Sequence, residues 1–182
     1  MNKAVFLDRD GVINVDHAYV SKAENFEFID GVFDACRYFQ QQGYLLIVVT
    51  NQSGIGRGYY TEQDFQQLTD WMLAQFRAQG ISISRVYFCP HHPQKALPPY
   101  NIDCNCRKPA PGMLLQAIRE HQIDPAASIM LGDKAADMQA AAAAGIGRKI
   151  LVLSGQALTA EDKTLADEVW PSIRLPQQHN TK

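Results

Sequence analysis

Hydrophobic and polar positions along this chain alternate between two kinds of run. The first kind is short and almost unbroken: Val5-Phe6-Leu7, Tyr44 to Thr50, Val86-Tyr87-Phe88, Ser128 to Leu131, and Lys149 to Leu153. Apolar runs of this length, bounded by turn residues, read as strands buried on both faces. The second kind repeats every three to four residues. Val32, Phe33, Cys36 and Phe39 share one face of a helix predicted over Asp30 to Gln42 and ended by Gly43. Phe65, Leu68, Met72, Leu73 and Phe76 stripe a helix that starts at Thr61, a good N-cap, and stops at Gly80. Pro111 suits the first position of a helix running to His121, and Ala135 to Ala144, closed by Gly145, suits another. Strands alternating with helices predict an α/β fold, a doubly wound parallel sheet covered on both faces. Ile13 to Val20 lacks a period and reads as a loop; residues beyond Gln177 read as a frayed tail.

Composition narrows the classes. The 182 residues suit a single domain spanning 1–182, with one insertion at about 89–108 where proline and cysteine replace periodicity. A net charge of −2 provides no basic surplus for nucleic acid, and no apolar run approaches the ~20 residues of a membrane span. The N-terminus carries no signal-peptide pattern, so a cytoplasmic chain is expected. Its four cysteines then point to thiol or metal chemistry rather than disulfides. Nothing in the composition signals an interface, and a monomer is expected.

Polar groups cluster where the predicted strands end. Asp8 and Asp10 follow the first, ~6–7 Å apart at Cα if the strand continues and on the same side of it. Thr50-Asn51-Gln52-Ser53 follow the second, and Asp133, Lys134 and Asp137 follow the fourth; Arg107-Lys108 precede the helix leading to it. Ligand sites of open α/β sheets lie beyond the carboxyl ends of the strands. Paired carboxylates without histidine suit Mg²⁺, and acids, a hydroxyl, an amide and a lysine together suit phosphoryl transfer. Each has a bland alternative: Asp133 as a helix cap, Thr50 as a strand terminus, Lys108 as a solvated charge.

The insertion carries Cys89-Pro90-His91-His92-Pro93 and Cys104-Asn105-Cys106. Three thiols and one imidazole match a Cys₃His zinc site of Cys89, His91, Cys104 and Cys106; with four protein ligands it would be closed and structural. In an extended segment Cys89 and His91 face one way and His92 the other. Cys36 sits on an apolar helix face and reads as core.

Asp8-Arg9-Asp10-Gly11, Thr50, Lys108 and Gly132-Asp133-Lys134-Ala135-Ala136-Asp137, in that order, resemble the motif set of haloacid dehalogenase superfamily phosphatases. The resemblance implies a Rossmann-like core. It implies Asp8 as nucleophile, Asp10 as acid and base, and Thr50 and Lys108 on the phosphoryl oxygens. Mg²⁺ would be held by Asp8, the Asp10 backbone carbonyl and Asp133, with Asp137 supporting them. Cys-x-His followed by Cys-x-Cys-Arg-Lys-Pro resembles the branch of heptose bisphosphate phosphatases and histidinol-phosphatase domains. That branch lacks a large cap domain and borders its site with a zinc-held loop.

Asp16 to Val20, Thr50 to Ile55 and Gly132-Asp133-Lys134 look most like the heptose bisphosphate enzymes, which act on a small phosphorylated sugar on the route to lipopolysaccharide core. On that likeness Asp16, His17, Tyr19, Asn51, Gln52, Ser53, Arg107 and Lys134 would meet the rest of the substrate. The likeness runs from about Val5 to Val152. It departs at Val12, where threonine is usual, and at Ala18, where glycine is common. A histidinol-phosphate phosphatase, or a non-catalytic zinc-stapled binding module, remains the alternative.

Overall fold

The computed structural model describes residues 1–176. Six strands form one all-parallel sheet: β1 (Lys3–Leu7), β2 (Tyr44–Asn51), β3 (Ile83–Cys89), β4 (Ile129–Gly132), β5 (Arg148–Val152) and β6 (Glu168–Trp170). Their spatial order is β3-β2-β1-β4-β5-β6. Successive side chains of a strand point to opposite faces, and β1 obeys this. Val5 and Leu7 pack against α1 (Val32–Gln41) and α3 (Glu62–Ala78); Ala4 and Phe6 pack against α4 (Gly112–His121) and α5 (Ala135–Ala143). The two apolar layers explain why the strands read as continuous hydrophobic runs.

The predicted elements are present, with small shifts at their ends. Pro111 caps α4 rather than opening it. Thr61 does cap α3, and Asp64 answers it in a capping box. Five short elements were not predicted: α2 (Ser53–Gly56), α6 (Ala160–Thr164), β6 and two 3-10 turns, Ala23–Asn25 and Pro125–Ala127, each too short to show a period. The predicted tail beyond Gln177 lies outside the described residues. Among the described residues no cap domain stands over the sheet, and no helix is long and apolar enough to cross a membrane.

The chain runs outward from β1 through β2 to β3, then returns to place β4 on the other side of β1. The order therefore reverses between β1 and β4, and the crevice beyond their carboxyl ends is where such sheets bind ligands.

Candidate functional site

That crevice holds a buried acid cluster. Asp8 leaves β1, Asp133 leaves β4 and Asp137 lies in the first turn of α5; one oxygen from each lies within 4.8 Å of the others. Lys108 reaches in from the insertion. Its ammonium stands 2.6 Å from Asp137 Oδ1 and 3.1 Å from Asp8 Oδ1, and donates to the Val49 carbonyl at 2.9 Å. Burial alone would lower the lysine pKa; the charges of Asp137 and Asp8 overcome it and hold the ammonium above the usual range. Asp137 Oδ2 accepts from the backbone N–H groups of Asp133 and Lys134. Asp137 is therefore fully engaged.

Asp133 is not. Both of its oxygens are buried without a hydrogen-bond partner among the described residues. Burial, with the Asp8 and Asp137 charges adding to it, pushes its carboxyl up to about 9, and burial likewise raises that of Asp8. A β-carbon at Gly11 or Gly155 would fall 2.2 or 2.0 Å from Asp133 Oδ2, so two glycines keep this oxygen's surroundings clear. Three oxygen-donor acids with one lysine make a hard, anionic set that fits a divalent cation such as Mg²⁺.

Asp10 lies apart from this cluster. A turn follows β1 at once. There the Arg9 carbonyl accepts from the N–H groups of Val12, Ile13 and Asn14, so the two-residue strand period ends at Leu7. The Asp10 carboxylate instead receives Arg9 Nη2 (2.9 Å) and Asn14 Nδ2 (3.0 Å) on Oδ1, and Gln52 Nε2 (3.1 Å) on Oδ2. The same Gln52 nitrogen donates to Thr50 Oγ1 at 2.9 Å, which joins the ends of β1 and β2.

A cleft of about 380 Å³ opens above these groups. Asp10, Asp16, Tyr19, Asn51, Gln52, Ser53, Arg107, Lys108 and Lys134 all line it. His17 is the exception. Its imidazole bonds Glu27 at 2.8 Å on the outer side of the loop and faces a separate hollow, so the structure does not bring it to the cleft. Asn51 lines the wall but spends its amide on the Lys108 backbone, donating to the carbonyl at 3.1 Å and accepting from the N–H at 3.0 Å.

Cys89 and His91 at the start of the insertion converge with Cys104 and Cys106 near its close. Cys89 Sγ lies 3.5 Å from Cys104 Sγ and 3.6 Å from His91 Nδ1; Cys106 Sγ lies 3.4 Å from His91 Nδ1, 3.2 Å from Cys104 and 2.8 Å from Cys89. A tetrahedron with Zn–S of about 2.3 Å has edges of about 3.8 Å, close to most of these. The thiol hydrogen bond between Cys106 and Cys89 brings Cys106 down to about 5 and pushes Cys89 up. A soft, closed donor set of this kind fits zinc. His92 turns away, its Nδ1 accepting from the Gln94 and Lys95 N–H groups.

The HAD-hydrolase-like family model matches residues 105–175. A D-glycero-beta-D-manno-heptose-1,7-bisphosphate 7-phosphatase of Yersinia pestis is 54% identical over 170 residues, covering 93% of this chain and 90% of that protein. The protein of the same name from Escherichia coli K12 is 53% identical, covering 96% and 92%. The chain belongs to the haloacid dehalogenase superfamily of phosphatases. A crystal structure of D,D-heptose 1.7-bisphosphate phosphatase from B. bronchiseptica, complexed with magnesium and phosphate, superposes with a TM-score of 0.80 at 29% identity, covering 94% of both chains. This phosphatase is thus a phosphoric monoester hydrolase, as its motifs implied.

Several residues at the site were not singled out from sequence. Arg57, Tyr60 and Gln156 also line the phosphatase cleft. Tyr60 had a readable signal. It precedes the Thr61 cap and packs with Phe65, as a hydrophobic staple does. Arg9 had none, because an arginine between two aspartates reads as a surface charge, yet it is 2% exposed. Gln156 had none either; its amide donates to Asp16 Oδ2 at 2.7 Å from a loop without pattern.

Proposed function

We propose that this phosphatase removes the 7-phosphate of D-glycero-D-manno-heptose 1,7-bisphosphate, with Mg²⁺, through a phosphoryl group carried by Asp8. The observation that carries the reading is the approach of Asp8 and Asp133 across the β1–β4 switch point, where neither Asp133 oxygen has a hydrogen-bond partner among the described residues. The names of relatives at 53–54% identity supply the substrate.

In this reading an Asp8 oxygen attacks phosphorus as the bond to the sugar oxygen breaks, and Asp10 gives that oxygen its proton. Asp10, now a carboxylate, takes a proton from water as the water attacks the phospho-aspartate; inorganic phosphate leaves and Asp8 is restored. Lys108 and Thr50 steady phosphoryl oxygens, the lysine from a position where its charge is secured by Asp137. Asp8, Asp133 and the Asp10 carbonyl would hold Mg²⁺, which when bound supplies positive charge between carboxylate and phosphate. Cys89, His91, Cys104 and Cys106 would hold a structural Zn²⁺. Arg107 and Lys134 on the cleft wall offer cations to the second phosphate, with Asp16, Tyr19 and Ser53 beside them. We read the chain as one domain, monomeric and cytoplasmic, serving ADP-heptose synthesis.

The test is phosphate release by purified protein with Mg²⁺ over a panel of both heptose 1,7-bisphosphate anomers, hexose bisphosphates and histidinol phosphate. A heptose bisphosphate should be turned over fastest. Preference for histidinol phosphate would replace the substrate, and release from none would favour a binding module.

A further inference from the structure

We infer that Arg9 and Gln52 are positioning residues that grip the Asp10 carboxylate from opposite sides and aim it at the leaving oxygen. The inference rests on the reading of Asp10 as proton donor given above. It goes beyond that reading by assigning Arg9 a role and by moving Gln52 from substrate contact to support.

Gln52 has little left to offer a substrate. Its two amide hydrogens go to Asp10 Oδ2 and Thr50 Oγ1, and its Oε1 accepts the Tyr60 hydroxyl at 2.5 Å. The Asp10 carboxylate fixes which end of the amide faces it. A flipped amide would turn its oxygen toward the carboxylate and lose that bond, whereas the Thr50 and Tyr60 hydroxyls can donate or accept and would bond either end. Tyr60 reaches this position only because residue 54 is glycine: a β-carbon there would lie 2.3 Å from the tyrosine ring.

Arg9 grips the other oxygen. Its guanidinium is enclosed, with the Phe26 and Phe65 ring centres 5.8 and 5.9 Å from Cζ, and Nε and Nη1 have no partner among the described residues. An apolar side chain would suit that setting better, because buried polar groups without partners are destabilising. The contribution of Arg9 therefore lies in Nη2, whose two hydrogens go to Asp10 Oδ1 and to the Val20 carbonyl, both at 2.9 Å. Val20 closes the loop that brings Asp16 and Tyr19 to the cleft. One nitrogen thus sets the distance between the proton donor and the wall that holds the substrate. A guanidinium cannot deprotonate, so the grip persists through both protonation states of Asp10.

A residue that only positions a proton donor matters most when the leaving group needs a proton. The full-length protein is assayed with Mg²⁺ on heptose 1,7-bisphosphate, an alkyl ester, and on 4-nitrophenyl phosphate, whose phenolate leaves unaided. In Arg9→Met and Gln52→Met, kcat/KM for the alkyl ester should fall about 30-fold while that for the aryl ester stays within about threefold. The double variant should fall no more than about threefold beyond the worse single one, because both act through one carboxylate.

Melting temperature identifies any variant that has merely lost its fold. Gln52→Met lies on the cleft wall and keeps the test alive if Arg9→Met does not fold. Equal losses on both esters, or no loss on either, would overturn the inference. Asp10→Asn separates this from the parent reading. If it discriminates between the esters and the two variants do not, only the grip is wrong. If Asp10→Asn loses both esters equally, the proton-donor assignment falls and the grip with it.

Discussion

The acid crevice and the thiol cluster each gather four ionisable side chains, but they are built in opposite ways. Asp8 and Asp133 stand at the ends of adjacent central strands, whose pairing Leu7↔Leu131 fixes the spacing of the carboxylates that follow. The thiols stand on a stretch without regular structure between β3 and α4, where only Cys89 belongs to a strand. The crevice is preorganised by the sheet, so it tolerates buried like charges that would otherwise move apart. The loop has no such scaffold, and a metal is what can give it one. The two are also connected, because Lys108 follows Cys106 by two residues and, among the described residues, is the only lysine in an ion pair with Asp8. The loop delivers a charge that the crevice needs.

The strongest way to break this comparison is Asp8→Asn. The shape is kept and the nucleophile removed, so turnover should fall by about 10⁴-fold or more, read as phosphate release. Stability should not fall, because burial and the neighbouring Asp137 charge already disfavour the Asp8 carboxylate. A lower melting temperature without metal would show that the crevice needs its charge for folding.

Lys108→Met is next. Removing one partner of a buried charge set leaves Asp8 and Asp137 uncompensated, a loss of about 3–5 kcal/mol. For a chain of this size that lowers the melting temperature by about 6 °C or more. Lys108→Met combined with Asp137→Asn should recover part of the loss; no recovery would show that the lysine does not act through that pair.

Cys104→Ser addresses the loop alone. Metal analysis should find about one equivalent of zinc in the parent and far less in the variant, with a melting temperature lower by several degrees. Activity should fall about tenfold, because Lys108 and Arg107 lose their anchor while Asp8, Asp133 and the sheet remain. A parent purified without chelators that holds no zinc, or a variant of full activity, would uncouple the two regions.

How much was legible in sequence follows the same division. The sheet, its two helical layers and Asp8, Lys108, Asp133 and Asp137 were readable because apolar runs and strand ends are local patterns. The four zinc-type donors were readable from spacing. Arg9 was not, because its burial depends on Phe26 and Phe65, which lie 17 and 56 residues away in the chain. The partners of the Asp10 carboxylate were not readable, since the strand period ends at Leu7 and a turn follows. His17 was carried over by resemblance, and a partner at Glu27 takes it outward. What depends on long-range packing escapes a reading made from neighbours along the chain.

The smallest predicted effect sharpens the contrast in backbone. Neither Asp8 nor Asp133 has a positive φ, whereas the loop over the crevice places two successive side-chain-bearing residues there, Ala18 at φ 61° and Tyr19 at φ 54°. An Asx turn helps hold them, Asp16 Oδ1 accepting from the Ala18 N–H at 3.0 Å. Tyr19 is then set edge-on to Tyr59, with the Arg57 guanidinium over its ring. A left-handed residue other than glycine costs about 1–2 kcal/mol, and the greater freedom of glycine when unfolded offsets about half of that. Ala18→Gly should therefore stabilise by about 0.5–1 kcal/mol, raising the melting temperature by about 1–4 °C. KM should stay within about twofold, since Tyr19 keeps its ring contacts and Asp16 its turn. A variant that melts lower would mean that the Ala18 methyl contributes packing worth more than the strain, and the loop would then be as well supported as the strand ends.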